Sequence, residues 1–245
     1  MSYLIVGGSS GLGRALAERL ARAGLPLVLV SSDRRDTHAL ASDLGLRYGV
    51  PVLGVALDLE DATASLAELD DAVARSSPLQ GILLPAGASR EGDEPGQPGE
   101  EFEAITRVNY TSICRLVNRY LPRLRDAGSG WIVGFGSVAA IRGRRRNAAY
   151  SAAKRALQSY FESLRHALAG SGVTVQFYAL GYLDTNLAFG RRTTFLPAGS
   201  PARLADLVLL QRGRDFGCRF YPRYWYAADL AIRALPWAIW RRISG

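Results

Sequence analysis

The stretch Tyr3-Leu4-Ile5-Val6-Gly7-Gly8-Ser9-Ser10-Gly11-Leu12-Gly13 decides the fold. Its first four residues are a short apolar run suited to a buried strand. A helical pattern follows through Arg14 to Gly24, with Leu12, Leu16 and Leu20 at helical spacing and Gly24 as a stop. Glycines between a strand and a helix serve a dinucleotide-phosphate loop. Gly7 permits the turn, Gly11 lets the backbone approach a pyrophosphate, Gly13 allows helix and strand to pack, and the helix N-terminus attracts the anion. An ordinary strand-to-helix turn also uses glycines, but a second apolar run, Leu25-Pro26-Leu27-Val28-Leu29-Val30, closes a complete strand–loop–helix–strand unit here.

The alternation continues outward. Strand-like runs at Pro51–Ala56, Gly81–Pro85, Trp131–Gly136 and Val173–Ala179 are separated by helical patterns. The expectation is an α/β fold: a Rossmann-type, doubly wound parallel sheet with helices on both faces. No repeat or linker interrupts it, and the Gly/Pro/Glu-rich stretch from Gly92 to Gly99 reads as a loop. One dinucleotide-binding and catalytic domain over residues 1–245 is expected, with 186–245 supplying a substrate lid and a C-terminal amphipathic segment. Ligand should bind at the carboxyl ends of the strands, where the glycine loop, Asp58, Ala86-Gly87, Ser137 and Gly181 fall.

The second informative stretch is Asn147-Ala148-Ala149-Tyr150-Ser151-Ala152-Ala153-Lys154. A spacing of four stacks Tyr150 and Lys154 on one helix face. A phenol beside a fixed ammonium has its phenolate favoured, so its pKa falls from about 10 toward working pH. Such a group suits the interconversion of an alcohol and a ketone.

The spacing Gly-x-x-x-Gly-x-Gly, with Ser137 and then Tyr150 and Lys154, resembles the short-chain dehydrogenase/reductase family across nearly the whole chain. The resemblance implies a catalytic tetrad of Asn109, Ser137, Tyr150 and Lys154. Tyr150 would exchange a proton with the carbonyl oxygen and Ser137 would hydrogen-bond it. Lys154 would act on the tyrosine and bind the nicotinamide ribose, and Asn109 would hold a water that links Lys154 to solvent. It implies cofactor contacts at Gly7, Ser9, Ser10, Gly11, Leu12 and Gly13, at Asp58 and Leu59, at Ala86 and Gly87, at Tyr150 and Lys154, and at Gly181, Leu183 and Thr185. Three positions depart from the family pattern: Val6 replaces a threonine, Leu83-Leu84-Pro85 precedes the retained Ala86-Gly87, and Leu180 replaces a proline.

The end of the second strand reads Val30-Ser31-Ser32-Asp33-Arg34-Arg35. A carboxylate there would bind a ribose 2′-hydroxyl and repel a 2′-phosphate. Serines follow Val30 directly and arginines come close behind. NADP(H) is therefore favoured, with Ser31, Ser32 and Arg34 near the phosphate. Asp33 keeps NAD(H) as the alternative, unless it caps the next helix.

Arg142, Arg144, Arg145 and Arg146 precede Tyr150 in the loop that borders the substrate pocket in the family. They are either a solvated charge run or a site for bidentate capture of phosphate. The tail from Phe220 to Ile243 interleaves Trp and Arg on an apolar segment. It resembles a peripheral membrane anchor, or it packs over the pocket or on a partner subunit. With Asn109-Tyr110-Thr111, these features also resemble the decaprenylphosphoryl-2-keto-pentose reductases of bacterial cell-wall synthesis. That likeness implies a lipid-linked, phosphorylated keto-sugar as the carbonyl substrate.

Composition bounds the rest. The formal net charge of +8 favours anionic partners, but no nucleic-acid recognition motif accompanies it. Two cysteines and two histidines argue against a disulfide framework or a metal site. No leader or long apolar run is evident, so a cytoplasmic protein is expected, at the inner membrane surface if the tail anchors it. A homodimer or homotetramer is implied by the family likeness. The competing readings are a non-catalytic dinucleotide sensor or scaffold of the same fold and a sugar-nucleotide epimerase or dehydratase.

Overall fold

The computed structural model describes residues 1–185 and 197–243. Seven strands form one parallel sheet: β1 (Ser2–Val6), β2 (Leu27–Ser31), β3 (Val52–Ala56), β4 (Leu79–Leu84), β5 (Gly130–Ser137), β6 (Val173–Leu180) and β7 (Cys218–Tyr221). Their order across the sheet is β3-β2-β1-β4-β5-β6-β7. The chain thus builds outward from β1 in one direction and then returns to build from β4 in the other. The resulting crevice between β1 and β4 is where ligands bind in such sheets.

Because side chains alternate along a strand, each strand feeds two cores. Leu4 and Val6 pack on one face with residues of α3 (Ala67–Arg75), α5 (Ser112–Asp126) and α6 (Ala148–Ala167). Tyr3 and Ile5 pack on the other with α1 (Gly11–Arg22), α2 (Arg34–Tyr48) and α7 (Pro201–Leu210). Apolar residues on both faces explain the continuous hydrophobic runs of the strands.

The placement of α6 follows from one close contact. A Cβ on Gly134 of β5 would lie 2.6 Å from the Phe161 ring, so this glycine lets α6 lie down on the sheet. Leu157, Phe161 and Leu164 are buried there, each worth roughly 1.5–3 kcal/mol of apolar transfer. That anchored helix carries Tyr150 and Lys154.

The strands run close to their expected limits, with β5 and β6 each reaching one residue further toward the crevice. The short edge strand β7 was not legible as a strand, since it merges with the aromatic tail. Beyond it lie α8 (Trp225–Ala234) and α9 (Trp237–Ile243), and α4 (Gly99–Thr106) precedes α5. Of the segment expected to form a lid, residues 186–196 lie outside the described residues.

Candidate active site

The glycine loop packs too closely for side chains at two of its positions. A Cβ on Gly13 would meet the Gly7 carbonyl oxygen at 1.8 Å. A Cβ on Gly7, whose φ is 89°, would lie 2.8 Å from the Ala86 backbone. Ser10 begins α1 without a side-chain cap, and the first turn contains no acidic residue. Its amides and dipole are left to a ligand. Thr185 approaches from the far side, with Cγ2 3.2 Å from the Cβ position of Gly11. Gly181, Leu183 and Thr185 thus form the opposite wall of the crevice.

Lys154 is buried, and its Nζ donates to the carbonyl oxygens of Phe135 (3.2 Å) and Ala86 (3.3 Å). Burial lowers its pKa to about 8. The ammonium lies 5.9 Å from the centre of the Tyr150 ring, one helical turn away. Ser137 sits at the carboxyl end of β5, and its Oγ accepts from the Ala139 amide at 3.1 Å. An accepting hydroxyl keeps its own proton free to donate. Ser137, Tyr150 and Lys154 all line one cavity.

Asn109 is placed differently. It lies fully buried in a π-helical turn, residues 107–111, an irregularity often found at functional sites. Its Nδ2 donates to Ala88 O (2.7 Å) and Ile105 O (2.8 Å), and its Oδ1 accepts from the Ala88 amide (3.2 Å). Asn109 is not in the lining of the cavity but behind Gly87, where Asn109 Oδ1 and Lys154 Nζ both approach the Cβ position within 3.1 Å. The geometry makes it a fastener of the Ala86–Ala88 loop.

At the other end, Ser9, Ser10, Ser31, Ser32, Asp58 and Leu59 border a smaller cavity together with Ala86 and Gly87. Asp33 caps α2, its carboxylate accepting from the Asp36 amide at 2.8 Å, and lies outside this lining. Arg34 is not brought to the cavity either, because its guanidinium pairs with Glu68 at 3.1 Å on the surface.

The larger cavity, about 630 Å³, extends from the glycine loop past Tyr150 to α8 and α9. The four arginines before Tyr150 do not converge there. Arg145 is exposed and pairs with Glu94 (2.8 Å), and Arg146 is exposed outside the lining. Arg142 lines the cavity, but its Nη1 donates to Ile232 O (3.0 Å) and Leu235 O (2.5 Å) at the end of α8. Its guanidinium also lies 5.2 Å from the Trp240 ring. Arg144 lines the cavity with no acidic partner among the described residues, and its Nε is buried without an acceptor. No Asp or Glu is among the lining residues.

Two contacts of the site join residues far apart in the chain. Trp225 packs its Nε1 where a Cβ on Gly181 would stand, 1.9 Å away, and so fixes α8 to the Gly181 side of the crevice. Asp93, buried in the loop after β4, accepts hydrogen bonds from the start of α6. Neither cysteine lines either cavity, and burial pushes the Cys114 thiol up to about 12 and the Cys218 thiol up to about 11.

A switch-point crevice with a glycine-shaped anion cradle, facing a tyrosine and a buried lysine, belongs to the dinucleotide-dependent oxidoreductases of the doubly wound α/β class. Within that class, a family model described as short chain dehydrogenase matches residues 2–194, and the chain belongs to this family. An uncharacterized oxidoreductase of Myxococcus xanthus is 34% identical over 76% of this chain and 75% of its own length. The 3-oxoacyl-(acyl-carrier-protein) reductase of Escherichia coli is 28% identical over 75% of this chain and 74% of its own. A short-chain dehydrogenase from Sphingobium yanoikuyae, solved in complex with NADPH, superposes with a TM-score of 0.81 at 29% identity, covering 97% of both chains. The protein is an NAD(P)-dependent oxidoreductase.

Proposed function

We propose that the protein interconverts a ketone and a secondary alcohol, with Tyr150 as general acid/base, on a substrate that carries an anionic group. The observation that carries this reading is one cavity lined by Ser137, Tyr150, Lys154 and Arg144, with no carboxylate among the described lining residues. When bound in the glycine-loop crevice, the nicotinamide supplies or accepts the hydride. In the reductive direction Tyr150 gives its proton to the carbonyl oxygen while Ser137 donates a hydrogen bond to the same atom as charge develops there. The Lys154 ammonium stabilises the phenolate left behind, and a proton from solvent restores the phenol. Asn109 and Ala86 keep Lys154 and the cofactor-side loop in register.

Arg144 supports the substrate class. A guanidinium with an unpaired, buried nitrogen is costly unless a ligand completes it. Carboxylate and phosphate both match its fork. The roof beside it, Ile141, Ile232, Leu235 and Trp240, is apolar. A keto compound with one anionic group and an apolar body fits both surfaces, and a lipid-linked keto-sugar phosphate is one such compound.

For the cofactor, NADP(H) is the preferred reading. Ser31 and Ser32 border the smaller cavity, while the Asp33 carboxylate is spent on α2. Glu60, which also borders it, is neutralised by Arg90.

Tyr226, Leu230, Trp237 and Ile239 of α8 and α9 are exposed, with Arg241 and Arg242 nearby in the chain. The one acid between 223 and 243, Asp229, is buried and paired with Arg233. An apolar, basic face of this kind complements an anionic bilayer surface.

NAD(P)H oxidation with matched neutral, carboxylate-bearing and phosphate-bearing ketones tests the reading. R144A is expected to raise KM for the anionic members roughly 10-fold or more, the worth of a charge-assisted hydrogen bond, and to leave the neutral one unchanged. Equal losses on all three would overturn the anion assignment. Turnover of none would overturn the reaction.

A further inference from the structure

The first turn of a helix leaves amide hydrogens without helical partners, and a side chain at the preceding position usually takes one. At the start of α6 that position is Asn147, which adopts a left-handed φ of 61° and provides no side-chain cap. The partner comes instead from 56 and 57 residues away. Asp93 Oδ1 accepts from the Ala149 amide at 2.7 Å and Oδ2 accepts from the Tyr150 amide at 2.9 Å. Its main-chain carbonyl accepts from the Ala148 amide at 3.2 Å. Three successive amides therefore end on one residue.

Asp93 is itself held. Only 3% of its surface is exposed, and Gln97 Nε2 donates to Oδ1 at 3.2 Å. The neighbouring Glu94 takes the Arg145 guanidinium at 2.8 Å. The same connection after β4 receives Lys154 at the Ala86 carbonyl and Asn109 at Ala88. One loop thus touches the start of the Tyr150 helix, the lysine, the asparagine fastener and the substrate-side loop.

We propose that Asp93 is the positioning residue for Tyr150, a cap supplied by a distant loop that fixes the tyrosine relative to the cofactor-side loop. A local serine or aspartate at position 147 would satisfy one of these amides while leaving helix and loop free to separate. The carboxylate grips the backbone nitrogen of the tyrosine itself, so its loss frees that residue directly. A misplacement of about 1 Å in a reacting group costs roughly 10²-fold in rate.

The test uses D93A and D93N in the full-length protein, with three readouts. Amide hydrogen exchange of the peptide spanning Ala148–Tyr150 should quicken about tenfold or more in D93A, with the strands unchanged. The dissociation constant for NADPH should stay within about threefold, while kcat on any ketone the wild type turns over falls roughly 10²-fold. D93N keeps one acceptor and turns a donor toward the second amide, so it should fall between wild type and D93A. If D93A does not fold, D93N decides the matter by the same readouts. Unchanged exchange, a kcat within twofold of wild type, or a loss of NADPH binding equal to the loss of kcat would overturn the assignment. The catalytic consequence rests on the proposed reaction. Should the wild type reduce no ketone, that reaction fails while hydrogen exchange still decides whether Asp93 holds the helix.

Discussion

Replacing Gly13 with alanine puts a methyl carbon 1.8 Å from the Gly7 carbonyl oxygen and 2.7 Å from its carbon. Ordinary contact starts at 3.4 Å, so the parts must separate by well over an ångström. Neither can yield alone. The Gly7 and Gly8 amides both donate to the Val30 carbonyl, at 2.7 and 3.0 Å, and α1 is clamped by Leu16 and Leu20 in the core. The loop must therefore deform, and with it the amides that would face a pyrophosphate. Losing two charge-assisted hydrogen bonds at about 1.5–3 kcal/mol each removes roughly 3–6 kcal/mol. That is a factor of about 10² to 10⁴ in the dissociation constant. Titration of NADPH fluorescence measures it. G24A is the control: that glycine has a φ of 77° but nothing within 4 Å of its Cβ position. It should cost roughly 1–2 kcal/mol of stability and leave NADPH affinity unchanged. NADPH binding by G13A within threefold of wild type, or an equal loss in G24A, would show that close packing at Gly13 does not shape the binding loop.

Two further outcomes follow from the same geometry. Lys154 has a folded-state pKa of about 8, below its unfolded value of 10.5, so between these values the unfolded chain binds more protons and this group makes stability rise with pH. Both cysteines and several buried tyrosines act in the opposite sense, so the comparison is with K154M, which shares them. Urea unfolding of the apo-protein from about pH 7.5 to 9.5 should show K154M more stable at the lower end, its advantage shrinking by about 2 kcal/mol across the range; a constant gap would contradict the assignment. W240A removes the Nε1 hydrogen bond to Gly143 O at 2.8 Å and the stacking with Arg142, so the roof over the cavity loosens. KM for substrates with large apolar bodies should rise several-fold with NADPH affinity unaltered, and equal weakening of NADPH binding would rule out a role confined to the roof.

The parts of the site legible in the sequence are those whose meaning is local. The glycine loop lies between consecutive elements, and Tyr150 and Lys154 lie one turn apart, so spacing alone predicts their neighbourhood. The arginine loop was less legible because its fate depends on distant groups. The carbonyls ending α8 take Arg142, Glu94 takes Arg145, and Arg144 is left facing the cavity with no acidic partner among the described residues. Arg34 likewise goes to Glu68, a residue of another helix. Asp93 left no trace at all. It stands in a stretch whose composition says only that it is a loop, and its partners are more than fifty residues away. Asn109 was identified through the family likeness, but its commitment to Ala88 and Ile105 depends on a π-helical turn that no periodicity announces.

The central claim is that Tyr150 moves the proton while the glycine loop and Lys154 hold the cofactor. Its most direct test is single-turnover NADPH oxidation by wild type and Y150F with an anionic ketone, together with the NADPH dissociation constant of each. The wild type should form alcohol in step with NADPH consumed. For Y150F the rate should fall by about 10²–10⁴-fold at a dissociation constant within threefold. A Y150F rate within tenfold of wild type, with binding intact, would contradict that claim.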